Sequence, residues 1–144
     1  MGVVTGNKEF FKGIGPIRYE GPQSDNPLAF RWYDENRVVA GKTMKEHLRF
    51  ACAYWHSFCG SGADPFGEPT HLFPWSEKSD AVERAKDKAD AAFEFITKLS
   101  LPYYCFHDRD VAPEGDSPRQ SDAYFRHMVE RLGQHQERTG VKLL

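Results

Sequence analysis

Apolar residues fall into two kinds of pattern along this chain. Val82, Ala85, Ala89, Ala92, Phe93, Ile96 and Leu99 recur at spacings of three and four, with charges of both signs between them. That period gathers them on one face and predicts an amphipathic helix. A second helix is predicted from Ser117-Pro118-Arg119-Gln120, with Ser as N-cap, Pro at the first helical position and Gln in the capping-box place. Phe125, Met128, Val129 and Leu132 form its apolar face, and Gly140 stands where a helix stop belongs. The other pattern is the short continuous apolar run. Arg49-Phe50-Ala51-Cys52-Ala53-Tyr54-Trp55 and Tyr103-Tyr104-Cys105-Phe106 predict buried strands, and Val141-Lys142-Leu143-Leu144 begins a third.

The first 46 residues lack either period. They are rich in Gly, Pro and polar residues, with breaks at Gly13-Ile14-Gly15-Pro16 and Gly21-Pro22. Residues 1–46 are therefore expected to form an extended arm that packs on something else. From residue 47 the order is strand, helix, strand, helix, strand, which argues for an α/β fold with parallel strands and right-handed crossovers. Three parallel strands leave a sheet unclosed, and a complete eightfold barrel needs about 250 residues. The sheet is either a small doubly wound one or the N-terminal portion of a (β/α)8 TIM barrel. The second is favoured, with residues 47–144 as its first β/α units and the chain stopping at the third strand.

Composition narrows the function classes. With 40% hydrophobic residues, including 11 Phe, 6 Tyr and 3 Trp, the 144-residue chain has material for a real core and cannot be read as disordered. Nineteen basic residues against 21 acidic ones leave a net charge of −2 with no run of one sign, which argues against a nucleic-acid partner. No stretch approaches the roughly 18 consecutive apolar residues of a membrane helix. Met1-Gly2-Val3-Val4-Thr5-Gly6 has no apolar signal core, and Gly6 stands where a myristoylation motif wants Ser or Thr. Cys52, Cys59 and Cys105 are an odd number without metal-finger spacing, so reduced thiols in a cytoplasmic protein are expected.

In a parallel α/β protein, chemistry gathers at the C-terminal ends of the strands. Two such ends are visible, one at Trp55-His56 and one at His107-Asp108-Arg109-Asp110. A histidine that works on a substrate with one ring nitrogen needs the other fixed by an acceptor. Asp110 is the better candidate for that acceptor. If the strand continues, Asp108 alternates to the opposite face from His107, whereas a turn returns residue 110 to the ring. The competing reading has these groups as surface polar residues closing a strand, with Arg109 paired to a neighbouring acid. One His and two nearby carboxylates do not suffice for a metal site. Trp55 reads as a core aromatic or as a flat apolar wall for the C–H face of a sugar. Phe66, after Pro65 in a Gly-flanked loop, should stand clear of the body and bury against a partner subunit. His127 and His135 are expected in solvent, and the mixed charges of residues 77–98 as an ordinary wet helix face.

Tyr19-Glu20-Gly21-Pro22, Ser24-Asp25-Asn26-Pro27-Leu28-Ala29-Phe30, Glu46-His47-Leu48-Arg49-Phe50-Ala51, Tyr54-Trp55-His56, Asp64-Pro65-Phe66-Gly67, Lys88-Ala89-Asp90-Ala91-Ala92-Phe93-Glu94, Phe106-His107-Asp108-Arg109-Asp110 and Pro113-Glu114-Gly115 follow one another along the chain. In that order they resemble xylose isomerase, in the form with the longer N-terminal arm, from about Phe11 onward. The resemblance implies a metal-dependent (β/α)8 barrel interconverting D-xylose with D-xylulose, and D-glucose with D-fructose. It implies that His107 contacts the sugar near its ring oxygen and assists ring opening, and that Asp110 holds His107 in the right tautomer. Trp55 would form part of the apolar wall, and Phe66 would reach into a neighbouring subunit's pocket. The isomerisation is a hydride shift assisted by two divalent cations (Mg²⁺, Mn²⁺ or Co²⁺), whose ligands lie on later strands with no counterpart here. Gly60 and Ser61 stand where relatives often have Trp and Pro, and Ser100 where Gly is usual.

The resulting expectation is the N-terminal portion of a xylose isomerase, inactive and poorly soluble alone. Its partners would be the sugar, the remaining barrel half, and further copies in a dimer or tetramer. Two alternatives differ in class: a related TIM-barrel sugar epimerase or isomerase, and a non-catalytic, oligomerising carbohydrate-binding module.

Overall fold

The computed structural model describes residues 6–144; the N-terminal reading on Met1–Thr5 lies outside the described residues. In the arm, β1 (Val38–Val39) and β2 (Lys42–Thr43) pair antiparallel and lead into α1 (Met44–His47). Ala40 and Gly41, between the strands, both have positive φ (49° and 81°), the backbone a two-residue hairpin of matching twist requires. The arm is thus not wholly extended. The body follows as β3 (Ala51–Ala53), α2 (Tyr54–Phe58), α3 (Ala81–Lys98), β4 (Tyr103–Cys105), α4 (Asp108–Val111), α5 (Pro118–Thr139) and β5 (Lys142–Leu143).

β3, β4 and β5 form a parallel sheet in that order, with Cys52 opposite Tyr104 and Tyr104 opposite Leu143. The long helices α3 and α5 are the two crossovers, so β3-α3-β4 and β4-α5-β5 are successive units of the kind that build a (β/α)8 barrel. Alternation along the strands decides what each face meets. Cys52 and Tyr104 are buried, while Ala51, Ala53, Tyr103 and Cys105 point to the opposite face and stay half-buried. Tyr104 packs edge-on against Phe93 of α3, and its hydroxyl accepts a hydrogen bond from Gln136 of α5 at 2.8 Å. Phe93, Ile96 and Met128 complete the core, each removed fully from water. Burial of side chains of that size stabilises by about 1.5–3 kcal/mol apiece.

Both helix starts follow from their caps. Asp80 accepts from the Glu83 amide at 2.8 Å, and Ser117 from the Gln120 amide at 3.2 Å. Gln120 reaches back one residue further than the expected capping box, to the Asp116 amide at 2.7 Å. Gly140 ends α5 in the left-handed conformation at φ 75°.

Three expectations need correction. The apolar run from Arg49 is not one strand: it bends after Ala53 into the five residues of α2, so Trp55 and His56 sit on a helical turn just past the strand end. The charges of α3 are not all wet, because Asp87, Asp90, Glu94 and Lys98 are buried. His135 is buried too, at 1% exposure, with its ring stacked 4.6 Å from Phe93 and Nε2 2.8 Å from Asp90 Oδ1.

These buried charges attach the start of the arm. Glu94 accepts the amides of Phe10 (2.7 Å) and Phe11 (3.0 Å), and Lys98 donates to Glu94 (2.6 Å) and to the Phe11 carbonyl (2.6 Å). Phe10 then meets Trp75 edge-on and Phe11 meets Phe95. Gly6 approaches Asp90 so closely that a Cβ there would overlap the carboxylate. Beyond Arg18 the arm leaves the body and exposes Trp32 and Val38, at 81% and 66%.

Candidate functional site

The site is built where β4 ends. Cys105 is its last residue, and the chain turns at once into α4 with His107 as the N-cap. A four-residue helix has few bonds of its own, and its first turn leaves amides without partners. Asp110, three residues on, supplies the acceptor: its Oδ2 takes the His107 backbone N–H at 2.7 Å. The same oxygen lies 3.0 Å from His107 Nδ1. One carboxylate oxygen therefore closes the helical turn and grips the imidazole.

Because a carboxylate only accepts, Nδ1 carries the proton in the neutral ring and Nε2 presents its lone pair outward. The His107 side chain is 68% exposed and that of Asp110 only 13%. The base is thus accessible and its anchor sheltered, an arrangement suited to moving a proton to or from a bound molecule.

Trp55 arrives from the neighbouring strand end. α2 begins directly after β3, which pairs with β4, so its first turn stands beside α4. The indole and the His107 imidazole lie 4.5 Å apart between centroids, tilted by 41°. Behind Asp110, its backbone carbonyl accepts from the Cys59 thiol at 3.7 Å, and Lys88 Nζ lies 3.5 Å from the same sulfur. Burial pushes the Cys59 thiol above its usual range, against the opposing charge of Lys88. Sequence reasoning missed this Cys59–Lys88 support, which links residues 29 apart.

The structure thus brings together Trp55, His107 and Asp110. It does not bring in Phe66, which sits 95% exposed at a loop tip where Asp64 Oδ1 accepts its amide at 2.8 Å. The remaining charges of the cluster pair locally: Arg109 bonds Glu114 at 3.1 Å, and Asp108 accepts the Arg109 amide at 2.8 Å. Cys52, Cys59 and Cys105 are all free thiols.

Among the described residues, one cavity touches this region and another lies apart from it. The first, of about 420 Å³, is lined by Phe58, Cys59, Phe73, Trp75, Lys88 and Asp110. The other, about 320 Å³, runs between α3 and α5 beside Asp90 and Arg131. Neither is lined by Trp55 or His107, whose rings stand at the open end of the sheet. Among the described residues, no group of three or more His, Cys, Asp or Glu could hold a metal ion, so these side chains do not fit a divalent cation. No helix among them is long and apolar enough to cross a membrane.

No family model matches the chain. Curated relatives do. It is 60% identical to xylose isomerase 2 and 59% identical to xylose isomerase 1 of Xanthomonas campestris pv. campestris (strain 8004). It is 56% identical to the xylose isomerase of Xanthomonas oryzae pv. oryzae (strain MAFF 311018). Each match runs over 142 residues, 99% of this chain and 32% of the relative. The chain spans about a third of the length of the curated relatives it matches, and over nearly all of its own length it is homologous to the xylose isomerases.

Proposed function

We propose that this chain supplies the ring-opening base and part of the sugar wall of an aldose–ketose isomerase that interconverts D-xylose with D-xylulose, and D-glucose with D-fructose. The 3.0 Å contact between His107 Nδ1 and Asp110 Oδ2, in a sequence homologous to xylose isomerases, carries the reading. A cyclic aldose opens when a proton leaves the anomeric hydroxyl and one reaches the ring oxygen. His107 Nε2, unprotonated and facing outward, takes the proton of the anomeric hydroxyl and returns it to the ring oxygen, while Asp110 stabilises the intervening imidazolium and holds its tautomer. Trp55 offers its flat indole to the C–H face of the sugar.

The hydride shift between C1 and C2 would draw on two divalent cations (Mg²⁺, Mn²⁺ or Co²⁺) held elsewhere in the complete enzyme, which would supply polarisation of the substrate oxygens. Among the described residues no cluster fits such ions, which supports the reading that the chain alone is inactive. Its partners are the sugar, the rest of the barrel, and further copies of the enzyme. Phe66 supports the last of these, since a phenyl ring 95% exposed on a tight turn would leave water by burying in another subunit. The three free thiols fit a cytoplasmic setting.

The experiment is complementation. The chain is mixed with a polypeptide carrying the other two-thirds of a relative's length, and xylulose formation is assayed with Mg²⁺. Turnover that needs both pieces supports the reading, and no turnover from a mixture that forms a complex overturns it.

A further inference from the structure

Asp110 alone does not fix the imidazole. A single hydrogen bond sets the direction in which His107 Nδ1 points, yet leaves the ring free to swing about the N–H···O axis. The swing carries Nε2 through an arc, and a proton-transfer group displaced by about an ångström loses much of its effect. With 68% of its side chain in solvent, His107 has little other packing to stop that motion. Among the described residues, the ring laid against it is Trp55, 4.5 Å away and inclined at 41°. His56, the other ring near the indole, lies 5.3 Å from Trp55.

We infer that Trp55 is a positioning residue for His107: its indole blocks the swing about the Asp110 hydrogen bond and so holds Nε2 at one place. The inference rests on the proposed role of His107, and adds to Trp55 a task distinct from walling the sugar. The two anchors divide the work. Asp110 chooses the tautomer, and Trp55 chooses the ring plane. Indole does this well because it is rigid, broad and itself held by a helical turn that starts directly from β3. Phenylalanine retains a ring face at that place, whereas leucine keeps apolar bulk without one.

The test needs neither sugar nor metal. The full chain is made with ¹³C,¹⁵N-labelled histidine, and the His107 signals are assigned by their loss in His107→Gln. Wild type, Trp55→Phe, Trp55→Leu and Asp110→Asn are then compared by ring ¹³C relaxation and ring ¹⁵N shifts. We expect wild type and Trp55→Phe to show an ordered ring protonated at Nδ1. Trp55→Leu should keep that tautomer while its ring order parameter falls from the rigid range near 0.85 to below about 0.6. Asp110→Asn should do the reverse, mixing the tautomers.

An order parameter unchanged in Trp55→Leu overturns the inference, as does a fall in Trp55→Phe as large as that in Trp55→Leu. The resonances of Phe93 and Met128, deep in the core, report whether each variant is folded. If Trp55→Leu is not, Trp55→Met takes its place with the same expected loss. Since no turnover is measured, failure here leaves complementation standing, and failed complementation leaves this result to be read by itself.

Discussion

Asp90 joins the two long helices, and Asp90→Ala carries a large expected cost. Its carboxylate, 2% exposed, accepts from Arg131 Nε at 3.0 Å and Nη2 at 2.7 Å, and from His135 Nε2 at 2.8 Å. Alanine leaves a guanidinium and a fully buried imidazole without their acceptor, and vacates space in the α3–α5 contact. Removing one partner from a buried ion pair costs about 3–5 kcal/mol. That is a large part of the roughly 5–15 kcal/mol by which domains are stable. With a urea dependence of about 2 kcal/mol per molar, the midpoint should fall by about 1.5–2.5 M.

Asp90→Asn keeps one acceptor and the shape, and should cost about 1–3 kcal/mol. The assay is urea unfolding of the full chain at fixed concentration, followed by circular dichroism. Acid adds a second reading. Burial alone would raise the Asp90 carboxyl, but hydrogen bonds from His135 and Arg131 outweigh it and hold the group below its usual value. A carboxylate lowered by folding stabilises above its unfolded pKa of about 3.9, and that contribution disappears as pH falls through the folded value. Asp90→Asn should lose this component of acid unfolding. A midpoint shift under about 0.5 M for Asp90→Ala would refute the reasoning, because the cluster would then not be a dry, mutually dependent set.

Other substitutions test other joints. Glu94→Ala should free the start of the arm while α3 stays folded, so that the Phe10 and Phe11 amides, now bound to the Glu94 carboxylate, lose hydrogen-exchange protection ahead of the helix. Ser117→Ala removes the α5 N-cap and should cost about 1 kcal/mol in the same urea assay, with Ser117→Asp close to neutral. Phe66→Ala should leave the unfolding free energy within about 0.5 kcal/mol of wild type, since the ring touches almost nothing, while weakening self-association seen by sedimentation.

Local signals carried much of this architecture. The three-and-four spacing of α3, the Ser117-Pro118 start and Gly140 stop of α5, and the apolar run of β4 each state their element within a few residues, and each is observed. The pairing of His107 with Asp110 was legible for the same reason, because a turn of three residues is local geometry. The reason the turn forms was not. Histidine is not a usual N-cap, so the closure by Asp110 carried no familiar signature. The Arg49–Trp55 run misled because short apolar runs suit a buried helix as well as a strand. Long-range pairings were the least legible. Asp90 finds Arg131 and His135 some 41 and 45 residues away, and Glu94 finds its amides 83 and 84 residues back. No periodicity within α3 distinguishes such charges from solvated ones.

The central claim is that His107 and Asp110 open a sugar ring, and a substrate without a ring isolates that step. In the complemented enzyme, His107→Gln should be assayed on D-xylose and on D-glyceraldehyde, an aldose too short to close into a stable ring. Loss of about 10²–10⁴-fold on D-xylose, with turnover of glyceraldehyde nearly unchanged, is the predicted result. Equal loss on both substrates, or none on D-xylose, would contradict it.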